Sequence, residues 1–485
     1  MSKKEGGKIF GSGSKAPVAI ILLVKNPRKE DCTIHYKDIG EYHTREQKLE
    51  IIKNFQSIQG IKDWTKIVPN TENDWLHQSD NTEFIQYNPI GKDKSDKIPI
   101  FGYYKNGVVT AQDEWVYNRS ATQLAENMKQ QITYLNENMH DKNLKNDYDP
   151  KQGKYTRDTV SRLLKHGKQS LDARKIRLAL YRPFFTQYLY FDWIFNAVWN
   201  VNDIMPEECS DNKIILVSWG SELSVLMTDL TPDRHVTIDT KCFPLYNYKN
   251  EKKQDSINDE ILKIYQEFYK NITIKKEDIF YYVYGILHSP EYKSKFKNNL
   301  KNDLPRIPMA PNFRGFSNIG KKLAELHLKF NDIEKYDKAC NVRMINKITE
   351  KPRSIKFVTN DKNHHAKHPE AVLAINDTIL YDDLPKVSYI INGRTPLGWF
   401  VERAKTYSKP YKKSGLVNNM FEGMNIDDVI KCIKQLLHVG IETERLINQL
   451  PKEFEPENIP EQQKTTEEYQ FIDKTSKRRR KTKRH

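Results

Sequence analysis

Three groups of residues have types and spacing that chemistry uses. Pro232-Asp233 followed by Asp239-Thr240-Lys241 sets two carboxylates and a lysine close together, the set that surrounds Mg²⁺ in many nucleases. Only five residues separate the two acids, which is short for two strands meeting at one ion. Phe10-Gly11-Ser12-Gly13-Ser14 has the glycine spacing of a loop for a nucleotide or S-adenosylmethionine. Such a loop follows a strand and opens a helix, whereas this one precedes an aliphatic run, so a turn entering a strand is the simpler reading. His364, His365 and His368 have ligand chemistry but lie in a polar stretch with no nearby cysteine, and read as a solvated loop. GxSxG, a Walker loop, HExxH and an Asp/Asn-Pro-Pro-Tyr/Phe tetrapeptide are all absent from the sequence.

A fourth pattern is one of binding. Basic and aromatic side chains interleave from Tyr181-Arg182-Pro183-Phe184-Phe185 to Phe191. Arginine forks onto guanine edges and lysine meets phosphates, so nucleic acid is one reading of this stretch, and an aromatic core is the other. The charge balance allows a polyanionic partner. The 485 residues carry 79 Lys and Arg against 64 Asp and Glu, a net of +15. Eight of the basic residues lie from Lys474 onward with no acid among them, and the remaining chain keeps a net of +7. The terminal cluster would bind polyanions without sequence preference or simply be solvated; the body is mildly basic in its own right.

Composition excludes several classes. With 38% hydrophobic residues and 20 Gly, the chain is neither disordered throughout nor Gly-rich low-complexity. The longest apolar run, Ala16–Val24, is less than half of what a membrane span needs. Five scattered cysteines without a CxxC pair argue against a disulfide framework or a zinc site and for a reducing compartment, with the cytoplasm as the expected location.

Ala16–Val24 has the continuous apolar pattern of a strand buried on both faces. A second strand is expected at Thr33–Tyr36, then a helix opened by the capping box Thr44-Arg45-Glu46-Gln47 with Leu49, Ile52 and Phe55 inward. Two strands and a helix here look like the end of a doubly wound sheet whose beginning lies outside the chain. An exposed half-sheet near Val18–Val24 would then dock onto a protein bearing the missing strands. Helical signal recurs at Ser120–Asn138 and Thr156–Leu180, and strand signal at Lys213–Ser218 and Ser224–Met227. Ile279, Val283, Ile286 and Leu287 share one helical face; Phe316, Ile319, Leu323, Leu326 and Phe330 share another, with Pro305, Pro308 and Pro311 stiffening the connection. Strands are expected at Ser354–Val358 and Ala371–Tyr381, a short helix after Thr395-Pro396, and a last helix over Ile426–Leu437. Beyond Pro451 the composition predicts disorder.

Taken in order, the segments GKIFGSGSKAPVAIILLVKNP (7–27), IHYKDIGEYHTREQKL (34–49), DEWVYNRS (113–120), LYRPFFTQYLYFD (180–192) and CFPLYNY (242–248) resemble the C-terminal part of single-polypeptide type I restriction–modification enzymes, the type ISP group, and their adenine-methylase relatives. The series continues with EDIFYYVYGILHSPEYKSKF (277–296), LPRIPMAPNF (304–313), KLAELHL (322–328) and INGRTPLGWFVER (391–403). Gln112 stands where the family often has an arginine before DEWVYN.

The resemblance implies an α/β remnant, the last strands of an N6-adenine methyltransferase sheet over 1–100. It is followed by a helical connection over 101–200, a mixed α+β target-recognition domain over 201–450 and a basic disordered tail over 451–485. The family's Asn-Pro-Pro-Tyr tetrapeptide, S-adenosylmethionine loop and ATPase motifs lie upstream and are absent, so no catalytic or cofactor residue is carried over. S-adenosylmethionine, ATP and Mg are expected only for the complete family enzyme. The implied role is reading duplex DNA so that a neighbouring domain, here on an upstream polypeptide, can methylate a flipped adenine. The alternative is a methyltransferase or endonuclease active on its own. The candidate DNA-facing residues are Arg182, Lys241, Arg306, Arg314, Arg394, Arg403, Lys412 and Lys413, basic side chains at element ends or in loops.

Overall fold

The computed structural model describes residues 18–28, 31–40, 43–70, 73–76, 81–144, 149–206, 211–220, 222–249, 252–270, 272–333, 341–344, 351–358, 372–376, 379–382, 384–407 and 409–456. The glycine loop at 10–14, the three histidines at 364–368 and the basic cluster beyond 473 lie outside these residues. The chain divides into two compact units, residues 1–82 and 83–485.

In the first unit, β1 (Ile34–Tyr36) follows the expected strand and pairs antiparallel with β2 (Thr65–Ile67), Ile34 opposite Ile67. Between them, α1 (Arg45–Phe55) opens on the expected capping box: Thr44 accepts from the Gln47 backbone N–H, and the Gln47 side chain accepts from the Thr44 N–H. Two expectations fail here. Residues 18–26 carry no strand and stand exposed, with Ile20 and Leu23 each more than 80% accessible. Leu49 and Ile52, expected inward, are also exposed. A strand buried on both faces needs neighbours on both edges, and within this unit the described residues pair only β1 with β2.

The second unit is a mixed α+β body of small sheets covered by helices. β3 (Lys105–Asn106), β4 (Tyr117–Asn118), α2 (Ala121–Asn138) and α3 (Arg157–His166) come first. They are followed by β5 (Ile176–Arg182) and β6 (Phe185–Tyr190), a tight hairpin. The stretch expected as helix through Leu180 therefore ends at His166, where Gly167 at φ +79° stops it, and β-branched and aromatic residues take over as strands. Residues 101–200, expected as a helical connection, hold this hairpin as well as helices.

β7 (Ile214–Ser218), β8 (Ser224–Thr228), β9 (Thr231–Pro232) and β10 (Lys241–Pro244) follow. One sheet has the order β9-β5-β6-β4, with β9 parallel to β5; the other has β3-β10-β7-β8, wholly antiparallel. β7 and β8 are buried along their whole length. The β9–β5 pairing ties Thr231 to Ala179, so residues on both sides of position 200 share one sheet.

α4 (Asp259–Phe268), α5 (Lys276–His288) and α6 (Phe313–Leu328) form the helical layer. α5 and α6 approach closely because two glycines face each other's backbones. A Cβ at Gly320 would lie 2.0 Å from the Tyr281 carbonyl oxygen, and one at Gly285 2.4 Å from that of Phe316. The proline-rich connection between the helices is fixed by buried tyrosines: Tyr282 donates to Pro308 O (2.8 Å) and accepts from the Ala310 N–H (2.6 Å), while Tyr292 donates to Arg306 O (2.8 Å).

The last part contains β11 (Asn341–Met344), β12 (Ile355–Val358), β13 (Val372–Ile375) and β14 (Ile379–Asp382), then α7 (Pro396–Tyr407) and α8 (Ile426–Ile447). The single strand expected over Ala371–Tyr381 is two, paired antiparallel, with Asn376 at φ +51° where the hairpin turns. α8 runs ten residues past its expected end, burying Val439, Gly440, Thr443 and Leu446. Phe454, beyond the expected limit of order at Pro451, is buried against Tyr292 and Phe296.

Candidate nucleic-acid interface

The β5–β6 hairpin turns on Pro183 and Phe184, and Phe184 sits at φ +54°, where a turn with proline at its first corner usually carries glycine. Three aromatic groups hold that ring: His327, Phe330 and Tyr389 contact it edge-on, with centroids 5.5, 5.6 and 6.4 Å away. On the other side of the turn, Arg182 donates through Nη1 to Asp233 Oδ1 at 3.0 Å and lies 3.9 Å over the Tyr181 ring. Asp233, 2% exposed, also accepts from the Tyr117 hydroxyl (3.1 Å) and the His235 backbone N–H (2.8 Å). Burial first, and then the Asp233 charge, holds the Tyr117 phenol well above its ordinary range.

Asp233 opens a loop that returns at Lys241. Thr240 N–H donates to Arg234 O (2.8 Å), and the Thr237 and Thr240 hydroxyls meet at 2.9 Å, so the loop is closed on itself. At its end Asp239 ion-pairs with Arg234 and lies 3.5 Å from Lys241 Nζ, which donates to Asn106 (2.6 Å). Each acid of the nuclease-like pattern is thus satisfied by its own basic neighbours, and no metal-holding cluster of His, Cys, Asp and Glu occurs among the described residues. His235 projects from this loop with its side chain mostly exposed and Nδ1 3.7 Å from Asp233 Oδ1. The Asp233 carboxylate beside the ring raises its pKa above the usual value against the opposing effect of burial.

α7 adds the second half. The Thr395 hydroxyl accepts from the Gly398 N–H (3.0 Å), as the expected cap with Pro396 at the first position requires. Arg394 lies over the Trp399 ring at 5.4 Å and pairs with Glu402 at 3.3 Å. Arg403 lies 5.9 Å from both the Trp399 and Tyr407 rings. Tyr407 stacks on Phe185 (6.2 Å, 14°) and reaches Tyr181 (6.4 Å) and Tyr411 (6.5 Å).

Past Tyr411, Lys412 and Lys413 stand exposed on a loop anchored at three points. Ser414 donates to Glu114 (2.9 Å), the Asn118 side chain donates to Val417 O (3.1 Å), and Asn418 bridges the Arg119 N–H (2.9 Å) and Gln187 (3.1 Å). Tyr181, Phe185, Trp399 and Tyr407 are buried, so these rings are core packing that links Arg182, Arg394 and Arg403, while the anchors hold exposed Lys412 and Lys413 beside Tyr411. The result is a basic face over an aromatic core, with Lys241 attached through the Asp233–Lys241 loop.

The other two candidates lie with other elements. Arg306 is 7% exposed; its guanidinium is paired with Asp93 and donates to the carbonyls of Ile85 (3.2 Å) and Tyr87 (3.0 Å). Its charge is consumed inside the fold, which removes it from the DNA-facing candidates. Arg314, in the first turn of α6, pairs with Asp278 at 3.0 Å. Arg234 and His235, not among the sequence candidates, lie on the Asp233–Lys241 loop, Arg234 paired with Asp239 and His235 exposed. Among the described residues the cysteines Cys32, Cys242 and Cys432 are free thiols, and no helix is long and apolar enough to cross a membrane.

No curated protein matches the chain. Several solved structures do. A nuclease-deletion mutant of the type ISP restriction-modification enzyme LlaGI, solved in complex with a DNA substrate mimic, is similar at a TM-score of 0.76 and 29% identity, over 94% of this chain and 36% of that one. The ATP-dependent type ISP enzyme LlaBIII bound to DNA gives 0.75 and 27%, over 87% and 28%. A DrdV–DNA complex gives 0.76 and 27%, over 93% and 46%. This chain thus spans less than half the length of each. Residues 99–434 match the family described as the type ISP C-terminal specificity domain. That match takes in every element of the basic face, and by it the chain belongs to the type ISP restriction–modification family, whose C-terminal specificity domain it carries.

Proposed function

We propose that this chain reads duplex DNA sequence as the specificity part of a restriction–modification enzyme, directing adenine methylation and cleavage by domains outside these residues. One observation supports the reading: within a type ISP specificity domain, Arg394 and Arg403 border the buried Trp399 and Tyr407 rings, and Lys412 and Lys413 stand exposed after Tyr411 on a loop anchored at several points. Phosphate contacts from the exposed lysines would set register, and arginines held flat against rings would present their forks to base edges. Arg182 and Lys241, already paired, would act by shaping the face, and Arg314, paired elsewhere in the fold, only through the overall electrostatic field. S-adenosylmethionine, ATP and Mg would be bound by the other domains. The test is selection from random duplexes at about 150 mM salt, which suppresses contacts to phosphate alone. A defined motif of several base pairs is expected; retention of no motif by a folded sample overturns the reading.

A second, compatible proposal concerns residues 18–82. Exposed Ile20, Leu23, Val24, Leu49 and Ile52 suit the end of a doubly wound methyltransferase sheet, covered by strands from an upstream polypeptide or an upstream part of the same one. Co-expression with the residues encoded upstream should protect this segment from protease, and unchanged cleavage would count against it.

A further inference from the structure

Arg403 differs from the other arginines around the basic face in having no polar partner. Arg182 is paired with Asp233, Arg234 with Asp239 and Arg394 with Glu402. Glu402 precedes Arg403 in the chain, yet its carboxylate lies against Arg394 at 3.3 Å. The Arg403 guanidinium makes neither a hydrogen bond nor an ion pair among the described residues, and its neighbours are two aromatic rings.

Helix geometry explains where it sits. Trp399, Arg403 and Tyr407 follow one another at intervals of four on α7, so they form one row along the helix, with Arg403 5.9 Å from the ring on either side. Both rings are buried and fixed: Trp399 Nε1 donates to Ile391 O (2.9 Å), and Tyr407 stacks on Phe185. Between them Nε of Arg403 is buried without a hydrogen-bond partner, whereas Nη1 and Nη2 are not closed off in this way. The stem of the side chain is thus held by the fold, and the planar pair of terminal nitrogens stays available. Tyr407 contacts Tyr411, so the next element along this row of rings is the loop that exposes Lys412 and Lys413.

We propose that Arg403 is the specificity-determining residue of this face and reads a guanine in the major groove, its terminal nitrogens donating to N7 and O6. The inference rests on the proposed function and narrows it to one side chain and one base. Guanine sets two acceptors side by side on its major-groove edge, which the fork matches. Adenine places a donor beside its acceptor, and cytosine offers a donor, so each opposes an N–H. Arg394, whose fork is engaged by Glu402, is a positioning residue: it holds that carboxylate and leaves Arg403 without a counter-charge. A stem already fixed between two rings also loses little freedom on binding.

The test is duplex selection with the full chain at about 150 mM salt, comparing the wild type with Arg403→Met and, as a second replacement, Arg403→Gln. The wild type is expected to select a motif containing a G·C pair, and each variant to lose the preference at that pair alone. The ratio of specific to non-specific affinity should fall about 10- to 100-fold. Circular dichroism establishes that the variants are folded. A further arm needs no variant: 7-deazaguanine, which lacks the N7 acceptor, should weaken wild-type binding about tenfold when it replaces the selected guanine. Arg403→Met should bind the two bases equally. A wild-type motif without guanine, a motif unchanged in the folded variants, or wild-type indifference to 7-deazaguanine at every guanine overturns the assignment and leaves the proposed function standing. An equal loss on selected and unrelated duplexes, with a salt slope lower by about 0.9, makes Arg403 a phosphate contact and likewise overturns it. Absence of any motif for the folded wild type overturns the proposed function and this inference together.

Discussion

Arg182 and Asp233 form an ion pair at 3.0 Å that is nearly sealed from water, with side chains 16% and 3% exposed. Tyr181 lies under the guanidinium and Tyr117 caps the carboxylate, so the pair joins the β5–β6 hairpin to the loop that carries His235 and Arg234. Asp233→Ala strands the guanidinium inside this network, and is expected to cost about 3–5 kcal/mol in urea unfolding. A change below about 1 kcal/mol would mean that water reaches the pair in solution.

Asp233 also governs the charge of His235. A histidine whose pKa is raised in the folded state is more protonated there than in the unfolded chain. Its contribution to stability is therefore fully present below the unfolded value near 6.5 and fades as pH rises through the folded value. Because His235 is exposed on the loop of the basic face, its extra charge should also strengthen duplex binding on the acid side. Ring-proton NMR of the wild type and Asp233→Asn should show the pKa falling in the variant; equal midpoints would detach His235 from Asp233.

The interior histidines respond in the opposite sense. Burial lowers His327 to about 3 and holds His288 well below the ordinary range, both neutral between the Tyr284 and Thr443 hydrogen bonds and the facing rings. The unfolded chain takes up protons below about 6.5 that the fold refuses, so stability falls as pH drops through that value, by up to about 1.4 kcal/mol per pH unit for each group. Thermal melts from pH 7.5 to 5 check this, and a flat Tm over that range contradicts it.

Gly320→Ala places a methyl group 2.0 Å from the Tyr281 carbonyl, on backbone that side-chain rotation cannot clear. A loss of about 3 kcal/mol is expected in denaturant midpoints, or failure to fold. Gly393→Ala is the control for backbone strain alone, because its position at φ +80° has open space around it.

Lys412 and Lys413 make no contribution to the core, so their double alanine variant should keep the wild-type melting temperature. Removing one lysine–phosphate interaction lowers the slope of log affinity against log salt by about 0.9, giving a drop of about 2 for the pair. An unchanged slope would remove these two lysines from the interface.

Local signals in the sequence sufficed for much of this protein. The Thr44 box, the Thr395-Pro396 start and the apolar face of α6 each depend on residues within a turn or two of one another, and each stands where the spacing puts it, whereas α5 is buried on every side from Ile279 to His288. Family membership was likewise legible, because the nine matching segments keep their order. What tertiary structure alone decided were relationships between residues far apart in sequence. Leu178 and Tyr188 became cross-strand partners, in a hairpin whose first strand falls within a stretch of helical signal. Arg306 went to the interior because Asp93, 213 residues away, met it there. Arg119 took the carbonyl and hydroxyl of Thr186, 67 residues away, as its partners in place of an acid. A residue's type and neighbours set which bonds it can make; whether its charge meets solvent, a carboxylate or nothing depends on distant groups that only the folded chain assembles, and for these basic residues that difference separates a structural pair from a binding site.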